Sequence, residues 1–324
     1  MPTAVLVTET EFRRARSTFA ATEDVECIPV PGPEDALCDA ITRYRTPFVI
    51  VGSSPYRGRL YSTLPRGGVI ARFGVGYDNV DIPQASKAGL LCTNTPDVLQ
   101  QSVAELTVAM MGMAARHLVA AATGVRDGHW QPKEGAELEG KTLTLVGAGA
   151  IAIAVARIAA GGYGMRVIGF TRSSRPAPGP HFAEMTSDFA AAVGDADFVS
   201  LHIPGSPDNA KFLNAERLAL MPDRAWLINT ARGAVVDEIA LYDALVSGRL
   251  AGAALDVFAR EPYEPAAADR DLRMLGNVIL VPHIGSNTAE ANRRMALRAL
   301  RNVRLAIAGE LASMDLIDRE VLEK

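Results

Sequence analysis

The chain has 324 residues, 48% hydrophobic and 22% charged, enough apolar material for two cores of ordinary domain size. Its 33 basic and 37 acidic residues leave a net charge of -4, a balance that offers nothing to a nucleic acid or a membrane surface. Cys27, Cys38 and Cys92 are isolated thiols, neither a disulfide framework nor a C-x-x-C metal or redox motif. The opening residues lack the basic region and long apolar stretch of a signal peptide. The longest apolar run, Leu143–Ala156, is too short for a bilayer and contains Gly and Thr. A cytoplasmic protein with no membrane or nucleic-acid partner is expected.

Short β-branched runs alternate with helical stretches, the pattern of βαβ units and parallel sheets. Strands are predicted at Ala4–Thr8, Val25–Val30, Phe48–Gly52, Gly68–Arg72 and Leu90–Thr93, with helices such as Asp35–Tyr44 and Ile82–Ala88 between them. A long helix is predicted from Val98 to about Ala122, its apolar positions recurring every three or four residues and broken only by Arg116 and His117. A second strand series follows at Thr142–Val146, Arg166–Phe170, Phe198–Leu201, Ala225–Asn229, Ala253–Val257 and Val278–Val281. Six such strands with helices between them match the doubly wound dinucleotide-binding fold. A last helix is predicted over about Ala289–Gly309, and the tail from Met314 onward receives no assignment. Thr95-Pro96-Asp97 and Gly285-Ser286-Asn287 are the natural crossings between domains. The expected class is α/β, with two Rossmann-like doubly wound parallel-sheet domains. One is discontinuous and flavodoxin-like, residues 1–97 with 288–324, and the other spans residues 98–287.

Leu143-Thr-Leu-Val-Gly147-Ala-Gly149-Ala150-Ile151-Ala152 reads as a strand, then G-x-G-x-x-A, then a helix. The first glycine permits a tight turn, the second lets a pyrophosphate approach the backbone, and a small third residue allows close packing of strand and helix. A second strand follows about 20 residues on, which is the context dinucleotide binding needs. That strand ends in Phe170-Thr171-Arg172-Ser173-Ser174-Arg175, where NAD-binding versions usually carry Asp or Glu for the ribose hydroxyls. An acid would repel a 2′-phosphate, whereas a guanidinium flanked by hydroxyls suits one. NADP(H) is therefore the expected cofactor, with NAD(H) the alternative. As solvated loop charges, Arg172 and Arg175 would have no such role.

In a doubly wound sheet the functional crevice lies beyond the carboxyl ends of the strands. Arg232, Asp256, Glu261 and His283 all follow the last three strands of the second series. Each alone reads as readily as a cap, a local ion pair or a solvated acid. Together their roles complement one another. A hydride reaction at a carbonyl needs a proton donor near neutral pH, which suits His. A neighbouring carboxylate favours the imidazolium, and an Arg clamps a carboxylate and the adjacent carbonyl oxygen.

The sequence resembles the D-isomer-specific 2-hydroxyacid dehydrogenases, glyoxylate/hydroxypyruvate reductases of NADP type in particular. The matching stretches are Ala71-Arg-Phe-Gly-Val-Gly-Tyr-Asp-Asn-Val-Asp, Val103-Ala-Glu-Leu-Thr, Leu138-Glu-Gly-Lys-Thr-Leu and the glycine turn. Asn229-Thr-Ala-Arg-Gly, Ala254-Leu-Asp-Val-Phe with Glu261-Pro262, and Pro282-His-Ile-Gly-Ser complete them, in family order over nearly the whole chain. The resemblance implies a homodimer using the long helix and an active site in the cleft between a substrate domain and a dinucleotide-binding domain. It implies that Arg232 binds the 2-oxoacid, that Glu261 pairs with His283, and that His283 is the general acid/base. Asp256 is implied to hold the nicotinamide carboxamide. Thr107, His202, Pro204, Thr230, Ala231 and Ser286 are implied to lie along the cofactor. The amides of Val75 and Gly76 would receive the substrate carboxylate, with Arg72 and Ser54 beside them.

Two departures from the family pattern are Ala152 in place of a third glycine and Thr171-Arg172 in place of the usual acid. Glu261, where formate dehydrogenases of this fold carry Gln, argues against that branch. The expected reaction is NADPH-preferring reduction of a small 2-oxoacid such as glyoxylate or hydroxypyruvate to the D-2-hydroxyacid. Arg72 reads either as a surface charge or as a contact for a distal anion, as in 3-phosphoglycerate dehydrogenases, although the sequence ends at Lys324, before a regulatory domain of that kind. Ser53, Ser54, Arg57 and Arg59 read equally as pocket residues or as a polar loop. A dinucleotide-sensing co-repressor is the remaining reading, because such relatives keep the same Arg, Glu and His.

Overall fold

The computed structural model describes residues 2–323, and the chain divides into two compact units, Met1–Leu99 with Ser286–Lys324, and Gln100–Gly285. In unit 1, β1 (Thr3–Thr8), β2 (Val25–Val30), β3 (Phe48–Val51), β4 (Val69–Arg72) and β5 (Leu91–Thr93) form a parallel sheet in the order β2-β1-β3-β4-β5. That is the flavodoxin-like order. Five helices lie between the strands: α1 (Glu9–Arg14), α2 (Arg16–Ala20), α3 (Glu34–Tyr44), α4 (Arg59–Thr63) and α5 (Ile82–Lys87). Val5, Leu6 and Val7 are all fully buried, as a strand covered on both faces requires.

Unit 2 begins with α6 (Gln100–Ala115) and α7 (Leu118–Arg126). The single helix expected over Val98–Ala122 is therefore two helices meeting at 65°. His117 adopts the left-handed conformation, φ 49°, which stops α6. Apolar spacing runs on past the break, but none of the α7 residues is buried, so the period there serves no core of this chain. Among the described residues no single helix is long and apolar enough to cross a membrane.

The sheet of unit 2 contains β6 (Thr142–Val146), β7 (Arg166–Phe170), β8 (Glu184–Thr186), β9 (Phe198–Leu201), β10 (Trp226–Asn229), β11 (Gly252–Leu255) and β12 (Val278–Leu280). Their order is β12-β11-β10-β9-β6-β7-β8, all parallel. Seven strands stand where six were expected. The extra one, β8, is a three-residue edge strand against β7, too short and polar to show a pattern. Helices α8 (Ala150–Tyr163), α9 (Phe189–Val193), α10 (Ala215–Leu218) and α11 (Glu238–Val246) cover the sheet together with α6. Ala152, Val155, Ala156 and Ala159 of α8 are fully buried. These small residues let the helix sit close to the strands.

The chain then returns to unit 1 as α12 (Ala289–Ile307), closed by Gly309 at φ 77°. Val98, Leu99, Ser286 and Asn287 all fall in unit 1. There Val98 O accepts Arg294 Nε at 2.7 Å, and Asn287 Oδ1 accepts Asn292 Nδ2 at 3.0 Å. The tail from Met314 is also anchored in unit 1. Asp315 takes two hydrogen bonds of 2.6 Å from Arg298, and Ile317 N donates to Cys92 O at 3.0 Å.

Candidate active site

Strand register creates the site edge of unit 2. Phe170, Val146, Leu201, Asn229, Leu255 and Leu280 are partners in successive parallel pairs. The residues that follow them, Thr171, Gly147, His202, Thr230, Asp256 and Val281, therefore line one edge of the sheet. The strand order reverses between β6 and β9, the place where doubly wound sheets bind ligands.

Gly147 has φ 104°, and a Cβ there would collide with the carbonyl of His202. Only glycine permits this approach of two strand ends. Gly149 caps α8, and a Cβ on it would meet open space. Ala150 and Ile151 form the first turn of α8, while Ala152 is fully buried against the sheet. A helix N-terminus facing open space beside a switch point fits a dinucleotide pyrophosphate. Half-buried His202 has its ring Nε2 2.9 Å from Ser200 Oγ, and loss of water around the ring pushes its pKa down to about 4. It is neutral near pH 7.

Beyond β7, Thr171 Oγ1 donates to Ser173 O at 2.9 Å, and exposed Arg172 donates from Nη2 to Asn209 Oδ1. Asn209, nearly fully buried, also donates to Pro204 O at 2.9 Å, which ties the loops after β7 and β9 together. Arg175 is exposed further along the same loop. Asn209 escaped the sequence reading because an Asn in a Pro-Asp-Asn turn reads as a turn former.

The Asn229 side chain braces the loop after β10, accepting Ala231 N at 3.0 Å and donating to Arg232 O at 2.9 Å. Half-buried Arg232 donates to Ala231 O at 2.6 Å, and a Cβ on Gly205 would lie 3.0 Å from its Cγ. Thr230 Oγ1 lies 2.9 Å from Thr107 Oγ1, which also bonds Val103 O at 2.8 Å. Thr107 is fully buried, so its hydroxyl serves this internal contact and presents no open face.

Asp256 stands just past the end of β11 and is 1% exposed. Its two oxygens accept the N–H groups of Ile284 and Gly285 at 2.6 and 2.8 Å, while its carbonyl accepts His283 N at 2.9 Å. The residue implied as a carboxamide contact thus holds the loop that carries His283. Burial raises its pKa, against the pull of those two amide bonds.

His283 sits at φ 51°, an uncommon conformation for a side-chain-bearing residue. Its Nδ1 is 2.7 Å from Glu261 Oε2, and Glu261 Oε1 accepts Phe258 N at 3.0 Å. Burial alone would raise the Glu261 carboxyl, but its hydrogen bond to His283 and the charge there hold it below the usual range. With Nδ1 directed at Glu261, Nε2 is the ring nitrogen that this pairing leaves for another partner.

In unit 1, Asn79 Nδ2 donates to Gly52 O at 2.9 Å and to Ser54 O at 2.8 Å, drawing the loops after β3 and β4 together. Gly74 N donates to Thr95 Oγ1 at 3.0 Å, and Asn94 Nδ2 donates to Val75 O at 2.8 Å. These bonds brace the Arg72–Gly76 turn. Arg72 Nη1 donates to the Phe73 carbonyl and lies against Gly74. Arg59 pairs with Asp39 at 2.6 Å and Asp35 at 3.3 Å, so it belongs to a surface ion-pair group.

Residues 108–285 match the family model for the NAD binding domain of D-isomer specific 2-hydroxyacid dehydrogenases. The chain belongs to this family. A glyoxylate reductase of Thermococcus litoralis is 40% identical over 272 residues, 81% of this chain and 80% of that protein. A solved protein of Thermus thermophilus superposes with a TM-score of 0.80 at 35% identity, covering 94% of this chain and 97% of that one. An NADPH-dependent glyoxylate/hydroxypyruvate reductase of Sinorhizobium meliloti, solved with NADP and malonate, gives 0.80 at 28% identity, covering 95% and 94%. The dehydrogenase is an NAD(P)-dependent oxidoreductase whose two parallel-sheet α/β domains are those of its family.

Proposed function

We propose that the enzyme reduces a small 2-oxoacid of the glyoxylate or hydroxypyruvate type to the D-2-hydroxyacid, preferring NADPH. The observation that carries this reading is the 2.7 Å contact of His283 with Glu261, on the sheet edge that also holds Arg232. When bound, the reduced nicotinamide supplies the hydride. His283, held by Glu261, gives the proton from Nε2 to the oxygen of the former carbonyl. Arg232 binds the oxoacid and stabilises the negative charge developing on that oxygen. The amides of Val75 and Gly76 take the substrate carboxylate, with Ser54 in the neighbouring loop.

NADPH preference is supported by the absence of a carboxylate from Thr171 to Arg175 and by Arg172 and Arg175 in that loop. The activities of the Thermococcus and Sinorhizobium relatives point to the same substrates and, for the latter, the same cofactor. Unit 1 would then be the substrate domain, and unit 2 the cofactor domain. Arg72, turned onto Phe73 and Gly74, supports a loop-bracing role over a distal-anion contact. Ser286, at the return to unit 1, and Pro204, Thr230 and Ala231, at strand ends, are proposed to border the cofactor.

The test is the rate of loss of reduced-nicotinamide absorbance with NADPH and NADH, each offered glyoxylate, hydroxypyruvate, pyruvate and 3-phosphohydroxypyruvate. NADPH-driven turnover of the first two is expected. Activity confined to the phosphorylated acid would instead favour the biosynthetic type. Tight cofactor binding with no turnover on any of them would favour a dinucleotide sensor.

A further inference from the structure

Glu238 is the first residue of α11, directly after the N-cap Asp237. A carboxylate there is ordinarily solvated and merely complements the helix dipole. Glu238 is instead 7% exposed. Its Oε1 accepts the N–H of Ala259 at 2.6 Å, while Oε2 is buried with no hydrogen-bond partner among the described residues. Burial raises its pKa, against the pull of the Ala259 bond. An incompletely satisfied buried carboxyl is destabilising, so the one bond it makes is the feature to explain.

That bond lands on the turn carrying Glu261. Phe258 N, one residue before Ala259, donates to Glu261 Oε1 at 3.0 Å, and Glu261 Oε2 reaches His283 Nδ1 at 2.7 Å. The other approach to the turn is made by Gly233, where a Cβ would run into the carbonyl group of Phe258. The stretch from Gly233 to Glu238 therefore grips the Phe258–Glu261 turn twice, by backbone contact at Gly233 and by the Ala259 N–H donated to Glu238.

We propose that Glu238 is a positioning residue for the proton-transfer pair, anchoring the turn through Ala259 so that Glu261 is held against His283. This rests on the reading of Glu261 and His283 as that pair. Glu238 touches neither substrate nor cofactor in this role; it acts through Glu261.

The test is a double-mutant cycle on the whole enzyme with glyoxylate and NADPH, using Glu238→Met, Glu261→Gln and both together. Met keeps the volume but cannot accept the Ala259 N–H. Glu238→Met is expected to lower kcat about tenfold, a modest misplacement effect, with the KM for NADPH unchanged. In the Glu261→Gln background it should add nothing further. Glu238→Gln, whose amide oxygen still accepts, should restore most of kcat. An equal loss in both backgrounds would make Glu238 a general structural residue and overturn the proposal, as would full activity of Glu238→Met beside an impaired Glu261→Gln. Full activity of Glu261→Gln would overturn the pair itself. Should Glu238→Met fail to fold, Glu238→Asp, one methylene too short to reach Ala259, enters the same cycle with the same criteria.

Discussion

His283 Nδ1 and Glu261 Oε2 lie 2.7 Å apart although 22 residues of chain separate them. Two backbone anchors make the contact. Asp256 binds the amides of Ile284 and Gly285, and the Phe258–Glu261 turn folds back so that Glu261 Oε1 meets Phe258 N. The pair is therefore set by the loops before either side chain meets a substrate.

Removing the acid should matter more than removing its orienter. His283→Ala is expected to lower kcat for oxoacid reduction by roughly 10²–10⁴-fold, the usual contribution of a positioned acid. Glu261→Gln should lose less, because the imidazole remains. Steady-state kinetics on both variants decide the matter, and a reversed ranking would exchange the proposed roles.

Reduction of a 2-oxoacid takes up a proton and the reverse reaction releases one, so a rise in pH should shift the equilibrium toward oxidation of the hydroxyacid. Stability has a different limit. Glu261 is held below the usual carboxylate range, so its pairing stabilises the fold above the ordinary Glu value of about 4.3 and is lost as pH falls through the depressed one. Thermal unfolding of wild type and Glu261→Gln should differ near neutrality and converge in acid. A gap that persists or widens on acidification would contradict this.

Arg172 is the proposed discriminator of the 2′-phosphate. Arg172→Ala should reduce kcat/KM for NADPH by about tenfold or more, the loss of one charge-assisted contact, and leave the NADH value nearly unchanged. A wild-type enzyme as efficient with NADH as with NADPH would refute the preference outright.

Gly147→Ala should destabilise the protein by about 1–3 kcal/mol, because it combines an unfavourable φ with a collision at the His202 carbonyl. Urea unfolding measures the first effect and a cofactor titration its consequence at the neighbouring turn. Unchanged stability would mean that the β6 and β9 ends yield more easily than their packing implies.

Leu118, Val119 and Val125 of α7 are 53%, 42% and 56% exposed, and Trp130 beyond them is 85% exposed. Such a run of apolar surface is proposed to be covered by a second copy of the chain. Light scattering should report a dimer, and Leu118→Glu with Val125→Glu should yield a monomer. A wild-type monomer at high protein concentration would refute it.

By itself the sequence determined the alternation of strands and helices, the glycine turn at Gly147–Ala152 and the charged residues that follow β10, β11 and β12. These features are written in local patterns, because period, turn chemistry and residue type act over a few neighbours. Tertiary structure decided what those patterns serve. The apolar period resumed beyond Arg116 and His117, yet a left-handed backbone at His117 split the helix, and α7 has no buried residue. The partners of Asp256 and Thr107 were not legible either: Asp256 accepts the amides of Ile284 and Gly285, and Thr107 bonds the Val103 carbonyl and the Thr230 hydroxyl. Glu238 and Asn209 read as ordinary polar residues of a helix start and a turn. Their importance arises from burial beside distant loops, which is a property of register and crossover connections and not of any residue's immediate neighbours.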